Sequence, residues 1–221
     1  MLLRVNRYQP VRPPSGLSRR AGAFVATHGV RLRPRPLEEF RVLWLDRGVP
    51  GEQVERMVAF EERWGGVVLP PAPAYEGGPH FFFADTPEGS NEEGWWFWAG
   101  DQRSSVPFSF MIGPNDGFGI RGPDWVPLNA SVDGWVESVA LAHHAALWAK
   151  TVTRLSGVEV EEIDLAGFEP VPEVEGLADQ WWQGPQAYVA VYRGESLAAA
   201  STGRRTPGSR ALVYSGIPEW V

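Results

Sequence analysis

The chain has 221 residues, of which 43 % are hydrophobic and 12 % aromatic, and a formal net charge of −7. This composition excludes a disordered segment, and the length allows a sizeable core without metals or crosslinks. Cysteine is absent, which removes disulfide frameworks, thiolate zinc sites and cysteine nucleophiles.

Charge is unevenly placed. Residues 1–41 hold nine arginines against Glu38 and Glu39, a net of +7. The other 180 residues carry 11 basic and 25 acidic groups, a net of −14. An acidic body repels nucleic acid and attracts basic partners. The arginine-rich stretch could touch phosphates, but no nucleic-acid motif accompanies it. The opening "MLLRVNRYQPVRPPSG" interrupts the long apolar run that a signal peptide needs. No stretch approaches the roughly 18 apolar residues of a membrane span. A cytoplasmic protein with no membrane segment is expected.

In chain order, residues 1–36 are rich in proline, which disfavours helix in the residue before it. They predict a basic extended arm with one short strand around Gly22 to Val30. "PLEEFRVLWLD" predicts a short helix. "PGEQVERMVAFEERWGG" predicts a stronger one, with Val54, Met57, Val58, Phe60 and Trp64 on one side and a stop at Gly65 and Gly66. Four short aromatic runs follow, "PHFFFAD", "GWWFWAG", "VPFSFMIG" and "GFGIRG", punctuated by turn residues. They predict an antiparallel meander with a tight hairpin at Gly113 to Gly117. Ser131 caps a second long helix reaching Lys150. Residues 151–185 read as an acidic linker with one strand at most. Residues 186–221 read as a C-terminal β-hairpin that extends or packs on the core. The expected class is α+β: an antiparallel meander flanked by helices over residues 37–150, with the N-terminal arm and C-terminal strands outside it.

No motif supplies catalytic chemistry. Gly117 to Gly122 spells G-x-G-x-x-G, but Pro123-Asp124-Trp125-Val126-Pro127 follows where a nucleotide fold needs a helix. His143 and His144 are adjacent on a helix and point about 100° apart, so they cannot share a metal from one face. The pairs Glu61-Glu62, Glu92-Glu93 and Glu161-Glu162 diverge, whereas acid/base catalysis needs carboxylates converging across a cleft. No cofactor and no metal is expected. Trp95-Trp96-Phe97-Trp98 is the outstanding feature. In a strand, Trp95 and Phe97 share one face and Trp96 and Trp98 the other. One pair is core, and the other is either covered or an interaction surface.

The stretches "VERMVAFEERWGGVVLPPAPAY" (54–75) and "FSFMIGPNDGFGIRGPDWVPLNASVDGWVESVALA" (108–142) resemble the SMI1/KNR4-like, or SUKH, superfamily. The resemblance lies in an amphipathic helix ending in Gly65-Gly66 and a Leu69-Pro70 step. It continues in the Trp125-Val126-Pro127 step before the second long helix. "PPAPAYEGGPH" departs from the family, which places a helix there. The resemblance implies a protein-binding immunity protein that neutralises a cognate toxin, possessing no enzymatic activity of its own. Glu92, Glu93, Trp96, Trp98 and Asp116 are its candidate contacts, and a basic toxin its expected partner. The competing expectation is a small-molecule-binding or hydrolytic enzyme that uses the aromatic run with Glu62, Glu93 or Asp101.

Overall fold

The computed structural model describes residues 9–32, 36–75, 77–103, 108–200 and 208–218. Two antiparallel sheets share one hydrophobic core, and the class is α+β as expected. The first sheet has eight strands, each hydrogen-bonded to its sequence neighbour: β1 (Gln9–Pro10), β2 (Val30–Arg31), β3 (Val67–Val68), β4 (Pro79–Ser90), β5 (Gly94–Gln102), β6 (Ser109–Ile112), β7 (Phe118–Arg121) and β8 (Trp125–Asn129). Helices α1 (Arg19–His28), α2 (Leu37–Asp46) and α3 (Gly51–Trp64) are inserted between its early strands. Helix α4 (Val132–Trp148) follows the sheet. The second sheet takes strands β9 (Thr151–Ser156), β10 (Glu169–Pro170), β11 (Asp179–Gly184), β12 (Ala187–Tyr192) and β13 (Arg210–Ser215), in the order β10-β11-β12-β13-β9. Two short helices, α5 (Val158–Glu161) and α6 (Gly194–Ala200), sit within that half.

The anticipated helices form where their signals lie. Ser131 accepts the Gly134 N–H as the N-cap of α4, and α3 buries Val54, Met57, Val58, Phe60 and Trp64. In the β6–β7 turn the Gly113 N–H meets the Gly117 carbonyl at 2.8 Å, with Asp116 at φ 59°. The G-x-G-x-x-G run is β7 and leads into β8, not into a helix.

The early arm departs from expectation. The segment around Gly22 is helix α1, not a strand. Ser18 caps it by accepting the Ala21 N–H, and Ala21, Phe24 and Val25 are buried at helical spacing. Buried Glu137 of α4 accepts both the N–H and the hydroxyl of Ser18, at 2.6 and 2.7 Å, and pairs with Arg20. One carboxylate therefore docks the start of α1 onto α4. Residues 1–8 of the expected arm lie outside the described residues.

The acidic stretch also departs. Residues 151–185 supply β9, α5, β10 and β11 of the second sheet, and the C-terminal strands pair within that sheet, not with the meander. Its polar residues hide a covering layer. Val160, Ile163, Leu165 and Phe168 pack on Val189, Val191 and Ala211, closing one face of the sheet.

Helix α4 joins the two halves. Its Trp135 ring meets Phe82 and Phe118 of the meander at 5.6 and 5.4 Å. Its Ser138 hydroxyl accepts the Trp181 indole N–H of β11 at 3.0 Å. Gly134 is required by close approach, since a Cβ there would lie 2.5 Å from the Val174 carbonyl oxygen. A helix apolar all round is a buried helix, and eleven of its residues are buried, from Val132 to Ala145. Each large apolar side chain so enclosed contributes about 1.5–3 kcal/mol.

Candidate functional site

The tryptophan run splits between two faces as strand geometry requires. Phe97 points into the core against Phe60, at 5.5 Å, with Trp95 packed at its margin. Trp96 and Trp98 lie on the other, outer face. There, Trp96 is only 8 % exposed and Trp98 is 37 % exposed. Strand register places Trp98 between Asp85 of β4 and Met111 of β6, and Trp96 opposite Glu88. The Arg121 guanidinium covers the Trp96 ring at 3.9 Å and pairs with Glu88 at 2.9 Å. Trp125 of β8 completes the row, its ring centroid 6.5 Å from that of Trp96. The Trp125 ring lies over Gly119, where a Cβ would come within 2.7 Å of it.

Phe60 and Trp64 of α3 and Trp135 of α4 meet the opposite, inner face of the meander. The outer face thus carries three tryptophan rings from β5 and β8, with Trp98 the most accessible of them. Carboxylates lie at the two ends of β5. Glu92 and Glu93 are exposed at the tip of the β4–β5 hairpin, and exposed Asp101 lies opposite Phe81.

Other residues singled out from the sequence lie elsewhere. Asp116 is engaged by Arg56, at 2.8 Å, on the rim of a cavity of about 250 Å³. The second arginine of that cavity, Arg63, is paired with Asp133. Glu62 is exposed on α3, whereas its neighbour Glu61 is buried and accepts the Ala84 N–H at 2.7 Å, anchoring β4. Glu62, Glu93 and Asp101 therefore sit on separate elements.

His143 Nε2 contacts the Pro71 carbonyl oxygen at 3.0 Å, and its ring stacks near His28 in a groove of about 760 Å³ between α1 and α4. Burial lowers the pKa of both His143 and His144. Among the described residues no group of three or more His, Asp or Glu side chains could hold a metal ion.

Sequence reasoning passed over Asp179. It is buried at the start of β11 and accepts the N–H groups of Arg193 and Gly194, both at 2.9 Å, capping α6 from a distance. Desolvation pushes its carboxyl up to about 7, against those two hydrogen bonds. Beside it, Glu195 is raised by burial, and the hydroxyls of Tyr75 and Tyr192 are pushed well above the usual tyrosine range. No sequence pattern links these residues, because the second sheet brings them together only on folding. Comparison with protein families, with characterised proteins and with solved structures returns no match.

Proposed function

We propose that this chain is a non-enzymatic protein-binding domain that captures a basic partner on the outer face of its meander. The observation that carries this reading is the position of Trp98, accessible in a row of rings on a strand with exposed Glu92 and Glu93 before its start and exposed Asp101 near its end. Accessible tryptophan in an aromatic patch is a preferred anchor of protein interfaces. A net charge of −7 would steer a basic protein toward it. The resemblance to SUKH proteins makes a toxin the partner of choice, with neutralisation by direct contact as the outcome. Asp116 stays exposed while held by Arg56 on the rim of the α3 cavity.

The test is co-expression with the toxin-like product of an adjacent reading frame. The wild type should rescue growth and co-purify with that product. Trp98→Ala combined with Glu92→Lys and Glu93→Lys should lose both while remaining folded. Absence of rescue and of a complex, or rescue undiminished in the triple variant, would refute the reading.

A further inference from the structure

A second surface, on the opposite half of the molecule, has the form of a small-molecule site. The turn at residues 72–75 closes through a bridge between Ala72 and Tyr75, with Ala74 held at φ 65°. It lays the Tyr75 ring flat on Tyr192 of β12, with centroids 3.9 Å apart and planes 12° apart. The stacked pair, with Leu212, walls a cavity of about 300 Å³ that is also lined by Arg154, Ser156 and Arg210. That volume is at the lower end of the range of about 300–1,000 Å³ for small-molecule sites.

The two arginines are placed by strand register. Arg154 of β9 lies opposite Leu212 of β13, and Arg210 lies opposite Ser156. Period-two alternation puts both on the cavity side, as diagonal cross-strand neighbours. Two like charges at that spacing repel unless an anion sits between them. Among the described residues neither has a carboxylate within ion-pair distance, whereas Arg56 and Arg63 of the α3 cavity are both paired. What sets the two apart is that both line one cavity beside a stacked pair of tyrosine rings. Glu195 feels the charge of Arg210 without forming an ion pair with it and hydrogen-bonds the Tyr75 hydroxyl, while Asp179 holds the start of α6. Burial raises both carboxyls, which weakens their opposition to an incoming anion.

We infer that this cavity binds a small organic anion, its carboxylate or phosphate held between Arg154 and Arg210 and its apolar body against the Tyr75–Tyr192 stack. Arginine suits either group because its fork of donors matches two oxygens at once. The flat ring wall and small volume favour a ligand with a single ring.

Titration calorimetry with benzoate, phenyl phosphate, inorganic phosphate and neutral benzamide tests this. Benzoate, phenyl phosphate or both should bind, the pattern assigning the anion, with benzamide at least tenfold weaker. Arg154→Ala and Arg210→Ala should each weaken binding about tenfold without shifting thermal unfolding, since both side chains are exposed. Tyr75→Leu should weaken the ring-bearing probes more than inorganic phosphate. Benzamide binding as tightly as benzoate, full affinity in the Arg154→Ala/Arg210→Ala double variant, or no binding of any probe at millimolar concentration would overturn the inference. The result does not depend on Trp98 or on any protein partner.

Discussion

Replacing Asp179 with Asn is expected to stabilise the protein above pH 7 and to remove part of its pH dependence below. The native carboxyl is pushed from 3.8 to about 7, with desolvation the leading cause. Between those values the folded chain keeps a proton that the unfolded chain has released. Stability from this group is therefore complete below about pH 4 and is lost as pH rises through about 7. Above both values, the gap corresponds to about 4 kcal/mol at most, at about 1.4 kcal/mol per pH unit. Asn is neutral at every pH and keeps a carbonyl oxygen for the Arg193 and Gly194 N–H groups. Those two bonds are already counted in the net shift, because they oppose the desolvation within it. The expected gain therefore approaches about 4 kcal/mol at pH 8 and shrinks to nothing or a slight loss near pH 4. Urea unfolding of both proteins at intervals from pH 4 to 8 measures it, because titrations common to the two cancel in the difference. A flat difference curve, or a variant less stable at pH 8, would refute the burial argument.

Glu137→Ala should cost about 3 kcal/mol by leaving the Ser18 groups and Arg20 without their buried acceptor, and Glu137→Gln about 1. Hydrogen exchange should show the amides of residues 19–28 losing protection first. Gly78→Ala should cost more than about 3 kcal/mol by denaturant unfolding. Its Cβ would fall 2.1 Å from the Trp135 ring at φ 93°, and a cost below about 1 kcal/mol would mean that Trp135 packs otherwise. On the outer face, Trp96→Ala should destabilise by about 3 kcal/mol and Trp98→Ala by less than about 1. Equal losses in the same unfolding assay would contradict their unequal burial.

Local signals were legible in the chain where one element satisfies itself. The Ser131 cap, the apolar stripe of α3, the Gly113–Gly117 turn and the alternation of Trp95 to Trp98 all depend on neighbours within a few residues. Helix α1 was obscured because its cap and apolar spacing sit in an arginine- and proline-rich stretch, and its docking relies on Glu137, more than a hundred residues away. The second sheet was obscured because its covering residues alternate with glutamates in "VEVEEIDLAGF", a pattern without period. The same distance hid the anion cavity, whose walls come from positions 75, 154, 192 and 210. The Arg56 partner of Asp116 was hidden in the same way, since it lies 60 residues earlier.

The positions of α3 and α4 explain why the outer meander face is the one left open. Two sheets have four faces. Helices α3 and α4 take the inner face of the meander, and Trp181 and Tyr214, stacked 5.6 Å apart, turn the inner face of the second sheet toward α4. The acidic segment from Val160 to Phe168 closes the third. On the fourth, the described residues offer only what the strands carry themselves, Arg121 laid over Trp96 and Trp125 beside it. Those two side chains shield Trp96 but leave Trp98 accessible. A sheet face built of tryptophan and methionine needs a cover to remove its apolar area from water. Trp96 and Met111 are already withdrawn, at 8 % and 1 % exposed, so Trp98 is the area that the proposed partner would cover.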